Sequence, residues 1–209
     1  MISLFIDTTT NHLRVGIYKD KKECFYDDSV VSSDLSSKAL PKIKEALDSL
    51  DITIDNIDDI YVVNGPGSFT GIRVGVTIAK TMAFAKNKKI YTVSELELLA
   101  SGSKSKIIVP LIDARRGFVY AGIYNKNLKQ ELEDQYINLD ELKKYIKKNY
   151  QKEDVTYVSY DKIDKVEEPL VNIERLLEKG KFTAIEPHLV NPNYLKKTEA
   201  EEKLNDKKS

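Results

Sequence analysis

The apolar residues of this chain fall in short runs whose period changes from one run to the next. Near the start, the run LFI ends at Asp7, a polar stretch TTTNH follows, and a second run LRVGIY returns. Much later PLI ends at Asp113, ARRG follows, and FVYAGIY returns. Apolar runs joined by short polar turns predict β-hairpins. The two hairpins also match in detail. Ile6-Asp7 is separated by eight residues from Gly16-Ile17-Tyr18, and Ile112-Asp113 by the same interval from Gly122-Ile123-Tyr124. An internal repeat offset by 106 residues, half the chain, is the organising feature of the sequence.

The elements between the hairpins support the repeat. After the first come a strand at ECFYDD and a helix over 35–50. Its apolar positions Leu35, Ala39, Ile43, Ala46, Leu47 and Leu50 share one face, and Pro41 is a candidate kink. A strand at DIYVVN, a glycine-rich loop, a helix over 71–86 and a short strand KIYTV follow. Ser94 with Glu97 three positions on predicts a capped helix start. After the second hairpin the order recurs as a strand over 132–138, a helix over 139–149, a strand at VTYVSY and a helix over 170–179. The chain therefore reads as α/β, with two lobes related by duplication and the second reduced. The lobes span 1–103 and 104–209, with their boundary in the small polar stretch SGSKSK. The charged tail KKTEAEEKLNDKKS lacks core residues and is expected to be solvated.

Composition narrows the function. The 33 basic and 33 acidic residues cancel, which argues against a protein that grips nucleic acid through a general positive excess. Cys24 is the only cysteine, so an intramolecular disulfide and multi-cysteine zinc sites are excluded. The start lacks a signal-peptide pattern, and no apolar run approaches the ~18 residues of a membrane helix. A cytoplasmic, soluble protein without membrane contact is expected.

The segment Gly65-Pro66-Gly67-Ser68-Phe69-Thr70-Gly71 joins a strand to a helix. It reads either as a tight turn with Ser68 or Thr70 as cap, or as an anion site built from backbone N–H groups and the helix dipole. It is neither a Walker loop, because Gly71 is followed by Ile72-Arg73, nor a dinucleotide fingerprint, because the glycine spacing is one residue too long. Asp7 and Asp113 at the hairpin tips could face each other and hold magnesium, or could close polar turns. Thr8 and Ala114 beside them leave no glycine for a phosphate to approach. His12 and His188 are far apart and form no metal motif, and neither Ser68 nor Cys24 has the setting of a nucleophile. Arg115 and Arg116 are either solvated turn residues or contacts for a phosphate or an acidic partner. An anion or nucleotide contact would draw on Asp7, Thr9, Gly67, Ser68, Thr70, Arg73, Asp113 and Arg115. No residue is assigned a catalytic or metal-binding role.

The duplicated hairpin with an acid at each tip is similar to the superfamily of acetate and sugar kinases, heat-shock proteins and actin, with ribonuclease H-like lobes. Within it the stretch from Gly65 to Gly75, GPGSFTGIRVG, resembles the signature of the TsaB family. So do Ile6-Asp7-Thr8-Thr9, Ile112-Asp113-Ala114-Arg115 with Val119-Tyr120, and Pro192-Asn193-Tyr194-Leu195-Lys196. Leu35 stands where members often carry histidine. The resemblance implies a non-catalytic subunit that pairs with TsaD, the subunit that carries a metal and transfers threonylcarbamoyl to an adenosine beside the tRNA anticodon. It also implies an ATPase partner, TsaE, and contact with tRNA only through the complex. No tightly bound cofactor is implied; ATP or ADP with magnesium would sit at the junction with TsaD and TsaE.

The partner surface is expected on the helices 35–50 and 71–86. Apolar residues of the second helix cover an arc of roughly 200°, about twice the ~100° needed to face one core. Leu35, Ala39, Ile43, Gly71, Val74, Gly75, Ile78, Ala79, Met82 and Ala83 are the predicted contact residues, and the chain alone should form a homodimer through them. The small residues Gly71, Gly75, Ala79 and Ala83 recur every four positions and would admit a second helix closely. The alternatives are an ATP-dependent phosphotransferase of the same superfold and a direct tRNA-binding module. The second requires a basic stripe interleaved with aromatics, which the linear sequence does not display.

Overall fold

The computed structural model describes residues 1–31, 34–150 and 153–196; the charged tail expected to be solvated lies outside them from residue 197 on. Strands β1 (Ile2–Asp7), β2 (His12–Lys19) and β3 (Lys22–Val30) form an antiparallel meander. Helix α1 (Leu35–Ser49), β4 (Asp59–Val63), α2 (Phe69–Ala85) and β5 (Lys89–Val93) follow. Both β4 and β5 pair in parallel, giving the sheet order β3-β2-β1-β4-β5. Helix α3 (Glu95–Ala100) then leads to β6 (Ile107–Asp113), β7 (Phe118–Asn125), β8 (Gln130–Asn138), α4 (Leu139–Asn149), β9 (Val155–Val158) and α5 (Ile173–Lys179). The second sheet, β8-β7-β6-β9, repeats the first in order and direction without a fifth strand, as a reduced duplicate requires.

The repeat extends to atomic packing. In each copy the tyrosine two residues after the glycine folds its ring back over the bare backbone. A Cβ at Gly16 would lie 2.5 Å from Tyr18 Cε2, and one at Gly122 3.0 Å from Tyr124 Cε2. Both rings are buried in the core between the two sheets, where Phe5, Val63, Ile108, Leu96 and Leu176 also meet. On the other face of the first sheet, α1 and α2 cover Leu4, Ile6, Val15, Ile60 and Val62. On the far side of the second sheet, α4 covers Val109, Leu111, Ala121 and Ile123.

Element ends follow their caps. Asn138 accepts from the N–H groups of Asp140 and Glu141, and Lys147 and Lys148 occupy the last turn of α4, so the helix runs over 139–149 as expected. Helix α5 begins at Ile173 rather than 170, because Asn172 caps it by accepting from Arg175 N at 2.8 Å. Likewise α2 begins at Phe69, two residues early, because Ser68 accepts from Gly71 N. Helix α1 continues through Pro41. Ser94 caps α3 by accepting from Leu96 N, while the expected reciprocal bond from Glu97 is not among the described contacts. Glu97 lines a cavity with Asp134 instead.

The last described segment returns to the first sheet. Ile185 N donates to Ile90 O at 2.9 Å on the open side of β5, and Asn193 N donates to Asn64 O at 2.7 Å. Val190 is buried in the core beneath α2.

Candidate functional site

The first hairpin tip is a sealed knot of polar groups. Asp7 and Arg14 are register partners across β1 and β2, and Arg14 Nη1 donates to Asp7 Oδ2 at 2.5 Å. The other carboxylate oxygen accepts from Thr9 N at 2.8 Å and from Thr9 Oγ1 at 2.7 Å. Arg14 also reaches Asp28 through Nε and Glu95 through Nη1, at 3.0 and 3.4 Å. Asp7, Thr9, Arg14 and Glu95 are all fully buried. The Thr9 hydroxyl has one proton, yet lies 2.7 Å from Asp7 and 2.9 Å from Glu95. Burial and the nearby Asp7 charge raise the Glu95 carboxyl well above its usual range. A protonated Glu95 donating to Thr9, which in turn donates to Asp7, satisfies all three groups.

That arrangement corrects the reading of Asp7 as an anion or magnesium contact, whereas Thr9, whose hydroxyl is engaged by Asp7 and Glu95, still borders the cleft. Every Asp7 oxygen is engaged inside the protein, and Asp7 is not part of the wall of the interlobe cleft. Asp113 is different. It is exposed at the second tip, its Oδ1 accepts from Arg115 N at 2.8 Å, and its own N–H donates to Asp161 at 2.7 Å. The two aspartates do not form a pair suited to magnesium. Among the described residues no group of three His, Cys, Asp or Glu side chains is placed to hold a metal ion.

The glycine loop is clasped onto the same tip. Ser68 N donates to Thr9 O at 2.6 Å, and Thr8 Oγ1 donates to Gly71 O at 2.7 Å. A Cβ on Gly71 would collide with the Thr8 carbonyl oxygen, and one on Gly75 would lie 2.5 Å from Thr8 Oγ1. These glycines therefore let α2 lie against the end of β1. The Ser68 N–H is taken up by the hairpin tip and the Gly71 N–H by the Ser68 hydroxyl, a capped turn as one of the two readings expects. Gly67 and Ser68 reach the cleft wall, Thr70 is exposed, and Arg73 is drawn away onto Phe69 and Tyr194.

Between the lobes lies a cleft of about 660 Å³, with Thr10, Ser68, Asp113, Arg115, Tyr120 and Tyr160 in its wall. His12 stacks on Tyr160 with centroids 4.2 Å apart, and its Nδ1–H donates to Asp28 Oδ1 at 2.6 Å.

The small-residue stripe of α2 faces inward. Gly71, Gly75, Ala79 and Ala83 are buried against the chain's own sheet, and Ala39 and Ile43 of α1 are core residues. As contact residues these six are corrected: small side chains bring α2 close to β1 and β4, not to a second protein. Leu35, Val74, Ile78 and Met82 are half-buried at the margin of that core. Elsewhere on the two helices Leu40, Phe69 and Phe84 are 52%, 48% and 79% exposed.

Compared with known proteins, residues 29–200 match the family model of TsaD, tRNA N6-adenosine threonylcarbamoyltransferase. The TsaB protein of Bacillus subtilis, named for tRNA threonylcarbamoyladenosine biosynthesis, is 35% identical over 144 residues, covering 66% of this chain and 63% of that protein. The chain belongs to this family, on its TsaB branch. The Escherichia coli TsaB protein is 29% identical over 128 residues, covering 59% of this chain and 55% of its own length. The match thus spans less than two thirds of these TsaB relatives. The structure of YeaZ from Pseudomonas aeruginosa superposes with a TM-score of 0.75 at 20% identity, covering 93% of this chain and 99% of that one, and shares the fold. Among the described residues no helix is long and apolar enough to cross a membrane.

Sequence reasoning missed two members of the hairpin tip, Arg14 and Glu95. The available signal was in β2, where both alternating faces are buried; an arginine on such a strand requires acidic partners.

Proposed function

We propose that this chain is a non-catalytic subunit of the machinery that makes threonylcarbamoyladenosine in tRNA, and that it binds TsaD and holds it in an active form. The observation that carries the reading is the closed Asp7–Arg14–Glu95 knot. An acid bound on every side cannot hold a metal ion or take a proton from substrate. The second support is the apolar margin of α1 and α2, where Leu35, Val74, Ile78 and Met82 are half-buried. A partner that completed the burial of these side chains would dock there. Under this reading the margin pairs two copies when the chain is alone and pairs with TsaD in the complex. TsaE joins the assembly, and any ATP or ADP with magnesium sits at the junction of the subunits.

The test is reconstitution with TsaD and TsaE. Asp113→Asn, at an exposed position, should leave tRNA modification within a few-fold of normal. A fall of about a thousandfold, the scale of losing a catalytic group, would overturn the non-catalytic reading. Met82→Glu should remain folded, run as a monomer and lose TsaD; normal TsaD binding by that variant would place the contact elsewhere. Titration of ATP and magnesium into the isolated chain addresses the phosphotransferase alternative, which tight binding with turnover on an alcohol would restore.

A further inference from the structure

The fold assembles a strip of aromatic rings and cations from four distant parts of the chain. At the start of α2, Phe69 stacks on Tyr194 with centroids 4.9 Å apart. The Arg73 guanidinium lies 3.7 Å over the Phe69 ring, and its Nε donates to Tyr194 Oη at 2.9 Å. Two residues beyond Tyr194, Lys196 crosses to the second lobe, where its Nζ sits 5.2 Å over the Tyr136 ring. Tyr136 stacks in turn on Phe118 at 4.7 Å and tilts against Tyr120 at 5.8 Å. Arg115, Tyr120 and Lys196 all border the interlobe cleft.

We propose that this strip binds an unpaired segment of a polynucleotide. Alternating ring faces and cations along a groove are what a single strand requires: each base offers a flat face to stack, and each linkage carries a phosphate to neutralise. Arg73, Arg115, Tyr194 and Lys196 are exposed, and Phe69 is 48% exposed. Arg73 and Lys196 are held by aromatic contacts rather than by ion pairs among the described residues. At exposed sites such contacts are weak, so Lys196 can turn to a phosphate and leave the Tyr136 face to a base. Two acids share the cleft wall, but Asp113 Oδ1 accepts from Arg115 N and Asp161 Oδ2 accepts from Asp113 N. One oxygen of each is thereby engaged at the end of β6 and the β6–β7 turn. This inference goes beyond the TsaD-binding reading and does not depend on it.

Fluorescence anisotropy of a short labelled RNA without base pairing, titrated with the full chain over a range of salt, tests the proposal. Three phosphate contacts predict a slope of log K against log salt of about −2. Lys196→Ala should reduce that slope by about 0.7. Tyr194→Ala should weaken binding about fivefold or more with the slope unchanged. A DNA strand of the same sequence serves as second probe: tighter binding of RNA identifies RNA, and equal binding supports recognition of the shared base and phosphate chemistry. Equal or tighter binding of a duplex of the same length would overturn the proposal, as would no binding. So would variants whose melting temperature and RNA affinity are both unchanged. If Lys196→Ala and Tyr194→Ala lose TsaD while RNA affinity stays the same, the strip is a protein surface and the proposal fails, with TsaD pairing intact as a separate conclusion.

Discussion

Arg14 Nη1 lies 2.5 Å from Asp7 Oδ2 across paired strands, with both side chains wholly withdrawn from solvent. Removing one member of a buried pair strands the other charge and costs about 3–5 kcal/mol. For a chain of this size that corresponds to a melting temperature lower by about 6–20 °C, so Arg14→Ala should melt early in a calorimetric scan. Adding Asp7→Asn to it should cost far less than the sum of the single changes. Strict additivity would show that the two side chains act independently.

The duplicated tyrosines should respond oppositely to loss of their hydroxyls. Tyr124 Oη donates to Asp134 Oδ1 at 2.6 Å, whereas the buried Tyr18 Oη has no hydrogen-bond partner among the described residues. Tyr124→Phe should destabilise by about 1–3 kcal/mol, and Tyr18→Phe should be neutral or stabilising. Urea denaturation of both variants distinguishes this from a shared role in which both lose stability.

Position along α2 decides the outcome of adding a charge. Ala79 is fully buried while Met82 is half-buried. Ala79→Glu should abolish cooperative unfolding, because an unpaired buried carboxylate is too costly to retain, and Met82→Glu should keep the native circular dichroism spectrum. Gly71→Val should also lower the melting temperature, since its side chain would meet the Thr8 carbonyl. A stable Ala79→Glu protein would mean that α2 can lift off its sheet.

Glu97 predicts a pH dependence. Burial, aided by the neighbouring Asp134, raises its carboxyl from 4.5 to about 7, so between those values the folded protein binds more proton than the unfolded chain. Stability from this group is then complete below pH 4.5 and is lost as pH rises towards 7. Melting temperature should fall across that window in the parent and fall less in Glu97→Gln. Identical profiles would remove Glu97 as the source.

The hairpin duplication was legible because each copy keeps an acid at its tip and a glycine two residues before a tyrosine, features fixed by local backbone geometry. The capped helix α4 was legible for the same reason. The function of Asp7 was not, because its partners at positions 14 and 95 come from another strand and a helix that only the closed fold brings together. Nor was the direction of the α2 stripe: small residues allow close approach, but periodicity does not say to what. The aromatic and cationic strip was invisible in the line of residues because Phe69, Phe118, Tyr136 and Lys196 are far apart along it.

The return of residues 185–193 to the first sheet bears on how the protein is made. Val190 emerges from the ribosome 97 residues after Val93 closes β5, and at ~5–20 residues per second that is a wait of roughly 5–20 s. Until then β5 presents an unpaired edge and the space under α2 lacks its last apolar plug, so the nascent first lobe is a template for mispairing. The chain is thus most vulnerable during its own synthesis, and a stop codon that removes only the last tenth of it leaves the first half unfinished.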